Sequence, residues 1–126
     1  MRLLLDTHVV LWELSGSRAV GADAQAAIEN ASELLFSVVS FAEIGVKTAV
    51  GKLVVPGDLH DLVLATGVHV LGLSPSHGLD VALLPVHHRD PFDRLLIAQA
   101  RREGLTLVTA DARIAEYEVA VINASV

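Results

Sequence analysis

The chain contains no cysteine, which closes off disulfides and thiolate metal sites. Aromatic residues make up only 4% of it, with a single Trp and a single Tyr, so nucleic-acid binding through rows of stacked bases is not expected. Basic residues are also scarce. Nine Lys and Arg face fifteen Asp and Glu, and the formal charge of −6 argues against a bulk electrostatic grip on a polyanion. That balance still permits a local basic patch, or a cation held by the acids themselves. Asp6 cuts the first apolar run after three leucines, so no secretory signal is expected, and no uninterrupted apolar stretch is long enough to cross a bilayer. The expectation is a soluble cytoplasmic protein.

What the chain does have is apolar bulk. Hydrophobic residues account for 52% and charged ones for 19% of 126 residues, enough for one folded domain spanning residues 1–126 with a real core. An apolar share this high in so small a domain suggests that some surface is covered by a partner or a second copy.

Leu3–Leu5 reads as a strand buried on both faces. Thr7 to Leu14 reads as a helix broken at Ser15-Gly16-Ser17, and Asp23 to Ala31 as an Ala-rich helix. Leu34 to Val38 reads as a second strand. Ser40 then opens a helix with the Ser40-x-x-Glu43 spacing of a capping box, and Gly51 stops it. Asp58 to Thr66 is helical, Val68 to Leu71 a third strand, and Ser74-Pro75 the start of a helix ended by Pro85. Thr106–Thr109 is a fourth strand, Asp111 to Glu116 a helical turn, and Val119 to Ile122 a fifth, marginal strand. This alternation predicts an α/β fold, a three-layer α/β/α sandwich around a mainly parallel sheet of four to five strands.

The helix between the third and fourth strands carries the most information. Asp90 suits the N-cap, Pro91 the first helical position, and Gly104 the left-handed residue that ends the helix. In that register Asp93, Leu96, Ile97, Ala100 and Gly104 share one inward stripe, where a charge is costly without a partner. Asp90 is thereby assigned to structure and Asp93 to the interior.

Ligands of an open parallel sheet bind outside the carboxyl ends of its strands. Asp6 directly follows the first strand, Glu43 lies in the first turn of the helix after the second, Asp93 begins the helix feeding the fourth, and Asp111 follows the fourth. Each has a structural alternative: Asp6 and Asp111 as N-caps, Glu43 as the partner of Ser40, Asp93 as a first-turn acid favoured by the helix dipole. Together they repel one another unless they bind protons or a cation. Oxygen-only ligands select a hard ion, Mg2+ or Mn2+, which suits phosphodiester hydrolysis by polarising the phosphate and lowering the pKa of an attacking water. Asp6 and Asp93 are the expected direct ligands, with Glu43 and Asp111 in support.

Among the remaining features, Arg94 is a candidate for a phosphate contact or an ion pair with the acids. His87 and His88 read as solvated loop residues, and Trp12 as core or interface rather than a stacking platform. Gly45 to Lys52 lacks the spacing and the hydroxyl residue of a phosphate-binding loop.

Leu4-Leu5-Asp6-Thr7-His8-Val9, Ser40-x-x-Glu43 with Gly51-Lys52-Leu53, His88-x-Asp90-Pro91-Phe92-Asp93-Arg94-Leu95-Leu96-Ile97-Ala98-Gln99-Ala100 and Leu107-Val108-Thr109-x-Asp111 occur here in order. With these pieces the chain resembles a PIN domain over essentially its whole length, specifically the VapC-type toxins of bacterial toxin–antitoxin pairs. The resemblance implies a Mg2+- or Mn2+-dependent endoribonuclease acting on RNA, a homodimer, and a cognate antitoxin that covers the cleft. Asp6, Glu43, Asp93 and Asp111 match the family's acidic quartet, and Thr109 a hydroxyl position that accompanies it. His8 departs from the pattern, standing where many members carry Asn. Rival readings are a non-catalytic PIN-fold binding module and a haloacid-dehalogenase-type phosphatase. The latter needs a second Asp two residues after Asp6, where this chain has His8.

Overall fold

A computed structural model describes the chain from Met1 to Val126. Strands β1 (Arg2–Leu5), β2 (Glu33–Ser37), β3 (His69–Leu71), β4 (Thr106–Thr109) and β5 (Val121–Asn123) form one sheet in the order β3-β2-β1-β4-β5. Every pairing is parallel. The chain moves outward from β1 through β2 to β3, then returns to add β4 and β5 on the other side. The order therefore reverses between β1 and β4, and a parallel sheet opens its ligand crevice at such a switch point, beyond the strands' carboxyl ends.

Six helices cover the sheet: α1 (Thr7–Ser15), α2 (Ala22–Asn30), α3 (Val38–Ala49), α4 (Leu59–Ala65), α5 (Pro75–Asp80) and α6 (Pro91–Glu103). Strand alternation divides the core in two. Leu3, Leu5, Phe36 and Val108 pack on one face with Val9, Val10 and Val63 of α1 and α4. Leu4, Leu35 and Leu107 pack on the other with Leu96, Ile97 and Ala100 of α6. Both faces are thus covered, as the unbroken apolar strands require, and the three-layer expectation holds.

The α6 signals act as read. The Asp90 carboxylate accepts bonds from the Phe92 and Asp93 amides, Pro91 opens the helix, and Gly104 closes it at φ 67. Around α3 the reading shifts. The N-cap is Ser37, whose buried hydroxyl accepts from the Val39 amide, so Val38 is already helical and Ser40 lies inside the helix. Glu43 is consequently in the second turn and makes no capping box. The capping box of this fold is instead at α5, where Ser74 and His77 exchange bonds. α5 ends at Asp80 in a 3-10 turn over Val81–Leu83, before Pro85 is reached, and β5 starts two residues later than expected.

Gln99 fixes α6 against the sheet. It is fully buried, accepts a 2.6 Å bond from the Ser37 hydroxyl and donates a 3.3 Å bond to the Gly72 carbonyl. The helix bearing Asp93 is thus tied to the ends of both β2 and β3. Gln99→Leu keeps the volume but strands two buried polar groups, a loss of about 1–3 kcal/mol. The expected result is a lower urea midpoint with an unchanged slope; an unaltered midpoint would show that the tie carries no stability.

Candidate active site

Asp6 follows β1 and Asp111 follows β4, on adjacent central strands, while α3 and α6 supply Glu43 and Asp93. These four acids, together with Asp90, line one open cleft of about 290 Å³. Sequence position and strand order therefore bring the expected quartet to one place.

Each acid is held differently. Asp6 stands at the N-cap of α1, but its carboxylate makes no capping bond. Its Oδ2 instead accepts a 2.7 Å bond from the Thr109 hydroxyl, which itself accepts from the Asp111 amide. Glu43 is almost fully buried. Its Oε1 accepts from Thr7 at 2.7 Å and its Oε2 from the Lys47 ammonium one helical turn on. Thr7 has one proton to give, so it donates to Glu43 and accepts from Ser40, 2.7 Å away. Both oxygens of Asp111 are taken by Arg113, through its amide and its guanidinium.

Asp93 is met by a residue the sequence reading set aside. His88 is buried, and its Nε2 lies 2.8 Å from Asp93 Oδ2 and 3.4 Å from Asp111 Oδ2. The Asp90 amide donates to His88 Nδ1, which places the ring proton on Nε2 and makes it the donor to Asp93. His87, by contrast, is exposed as expected, set edge-on to Tyr117. His88, Asp90 and Asp93 lie close enough together to suggest a metal triad. The tautomer argues otherwise, because both ring nitrogens of His88 are already committed and Asp90 is capping α6. His88 instead orients Asp93, pinning one of its two oxygens.

Arg94 does not reach the acids. Its guanidinium donates to the carbonyls of Pro85, Val81 and Leu84 and to the Tyr117 hydroxyl, at 2.8–3.3 Å. The planar fork of donors satisfies the loop that delivers His88. Its expected substrate or ion-pair role is corrected to a positioning one.

The oxygens left over are informative. Neither Asp6 Oδ1 nor Asp93 Oδ1 takes a side-chain hydrogen bond, and no buried side-chain polar atom lacks a partner, so both open onto the cleft, the Thr7 amide lying beside the Asp6 carboxylate. Burial raises the Asp6 pKa against the pull of Thr109. Burial likewise pushes Asp93 up to about 7, the charges of Asp6, Asp90 and Glu43 adding to it and the His88 bond opposing it. Asp111 is held low by the Arg113 bond. Burial alone would lower Lys47, but the Glu43 bond and the surrounding carboxylates outweigh it and hold the ammonium above its usual value. Two acids that resist ionisation, each with one oxygen open to the cleft, describe a site short of positive charge.

The PIN-domain family model matches residues 3–120. Ribonuclease VapC22 of Mycobacterium tuberculosis is 32% identical over 118 residues, covering 91% of this chain and 91% of that protein. VapBC2 of Rickettsia felis, solved bound to a promoter DNA fragment, superposes with a TM-score of 0.71 at 16% identity, over 99% of this chain and 100% of that one. FitAcB of Neisseria gonorrhoeae gives 0.70 at 21% identity, over 96% of each. At such identities the two structures speak to the fold.

The raised Asp93 pKa has a thermodynamic sign. Without a divalent ion, folded Asp93 keeps its proton to about 7 where its ordinary value is 3.8, so the stability it contributes is full below the lower value and lost as pH rises through the upper. In chelator, the melting midpoint of wild type is expected to fall more between about pH 5 and about pH 8 than that of Asp93→Asn, which cannot ionise. Parallel profiles for the two proteins would mean that Asp93 is charged throughout.

Proposed function

The chain belongs to the PIN-domain family as a VapC-type member, and on that premise we propose that it is a Mg2+- or Mn2+-dependent endoribonuclease that cuts cellular RNA and is silenced by a cognate antitoxin. The observation that carries the reading is the pair of solvent-facing oxygens on Asp6 and Asp93, in a cleft whose acids are electrostatically under-compensated.

The donor set fits a hard divalent ion: carboxylate oxygens with no thiolate, and the imidazole that touches Asp93, His88, is already committed at both nitrogens. Asp6 and Asp93 would hold it through their open oxygens, with Glu43 and Asp111 close by, already tied to Lys47 and Arg113. Bound there, the ion supplies the charge that polarises a phosphate and makes water a competent nucleophile near neutral pH. The chain's own residues prepare the ground for this. Thr109 and His88 each pin one oxygen of a ligand carboxylate and leave the other directed at the cleft, so little reorientation is needed when substrate arrives. Lys47 offsets part of the negative charge that would repel an RNA backbone.

RNA incubated with the protein and Mg2+ or Mn2+ is expected to be cleaved, with chelator abolishing the reaction and added antitoxin suppressing it. Asp93→Asn should slow it about 100-fold or more, on the order of 3 kcal/mol of barrier, whereas Asp90→Asn, which can still cap α6, should cut at close to the wild-type rate. Wild-type speed from Asp93→Asn, or cleavage in chelator, would overturn the mechanism.

The reading includes a homodimer. Leu79, Leu83 and Val86 are 69–76% exposed along the segment from α5 towards His88, an apolar strip that a second copy would cover. Sedimentation is expected to give a dimer at micromolar concentration, and a stable monomer would count against it.

A further inference from the structure

We propose that the rim of the acidic cleft carries a base-binding subsite, in which Trp12, with His8 beside it, stacks one unpaired nucleobase next to the phosphate that is cut, while Arg18 takes a neighbouring phosphate. This rests on the reading of the cleft as an RNA-cleaving site and adds how the substrate is gripped.

Trp12 and His8 lie on the border between two concavities. Both residues line the acidic cleft, and both also line an apolar groove of about 400 Å³ walled by Leu11, Val55 and Leu59. A nucleotide has the same division, an anionic phosphate beside a flat ring with apolar faces. The Trp12 indole is only half-buried, and the His8 ring stands 6.0 Å away and 26° from parallel to it. Rings set this way on a cleft wall offer flat apolar faces of the kind on which a base stacks.

The cations around the cleft point the same way. Lys47 is paired with Glu43 and Arg113 with Asp111, so both are neutralised in place. Arg18 forms no ion pair; its guanidinium lies 4.3 Å over the centre of the Trp12 ring. An exposed cation–π contact is weaker than base–aromatic stacking. A base can therefore displace the guanidinium from the ring, which frees Arg18 to meet a phosphate through its paired N–H donors. The exchange is local and needs no movement of the backbone. Because the chain has only one Trp and few other aromatics, the subsite takes one base rather than a stacked row. Trp12 packs against the core as expected, and the subsite would use the part of the indole that the core leaves uncovered.

The single Trp also makes the proposal directly measurable, since all indole emission comes from residue 12. Wild-type protein with Mg2+ is mixed in stopped flow with a short single-stranded RNA, or with an abasic ribose-phosphate strand of equal length, and emission is read before cleavage while products are followed in parallel. Quenching by the RNA and not by the abasic strand is the expected result. Trp12→Ala should raise the KM for cleavage roughly tenfold with kcat little changed; Trp12→Phe should restore it, and Arg18→Gln should raise KM in the same sense. If wild type cleaves RNA while emission is unchanged, or changes equally with both strands, the subsite is wrong and the groove is left to a protein segment. If RNA quenches emission but no cleavage follows, the subsite stands and the nuclease reading falls.

Discussion

Mutual repulsion among buried carboxylates is the constraint around which this fold is arranged. Asp6, Glu43 and Asp93 are all nearly withdrawn from solvent at one edge of the sheet, where the Glu43 charge makes Asp6 harder to ionise and both make Asp93 harder still. The surrounding polar groups divide the burden. Lys47, Thr7 and Ser40 secure Glu43, Arg113 secures Asp111, Thr109 takes one oxygen of Asp6 and His88 one oxygen of Asp93. These contacts lower the cost without cancelling it, because Asp6 and Asp93 remain shifted towards the protonated form. The cleft is thereby left short of positive charge, which is the property that the proposed hard cation would answer.

Much of this was legible in the sequence, and the legible part was what depends on local chemistry. Asp90-Pro91 at the start of α6 and Gly104 at its end act through the residues next to them, so the helix phase could be read and Asp93 separated from Asp90. The strand order followed from apolar runs alternating with helices. The departures came where tertiary contacts decided. Ser40 and Glu43 have capping-box spacing, but Ser37 reaches the first free amide sooner, and Ser40 turns instead to Thr7 on another helix. His88 looked like a loop histidine because nothing nearby in sequence announces that Tyr117 and Arg94 fold its loop inward. The pairing of His88 with Asp93, five residues apart, was a possible signal, since an imidazole before a helix cap can reach the helix's first turn.

Arg94 shows how an apparent active-site residue can serve the site at one remove. Its position next to Asp93 invites a role with substrate, yet successive residues on a helix point in different directions. Asp93 faces the cleft while Arg94 collects the carbonyls of the preceding loop. The motif spanning Asp90 to Arg94 therefore holds three separate tasks: starting the helix, presenting a carboxylate and shaping the loop that steadies it. Such packing of duties into a few residues explains why the run reads as a signature: the cap at Asp90 and the loop contacts of Arg94 both support the carboxylate that Asp93 presents.

The position of β1 has a consequence for how the molecule comes into being. β1 is the centre of the sheet, and its β4 neighbour lies about a hundred residues later, as does Thr109, which closes the bond to Asp6 at a separation of 103. Contacts so distant in sequence form late and fold slowly. A growing chain can hold β1 beside β2, but it has no second wall for the cleft until β4 has followed. The four acids thus become neighbours only after β4 has paired with β1, so the cleft is among the last features of the fold to be assembled.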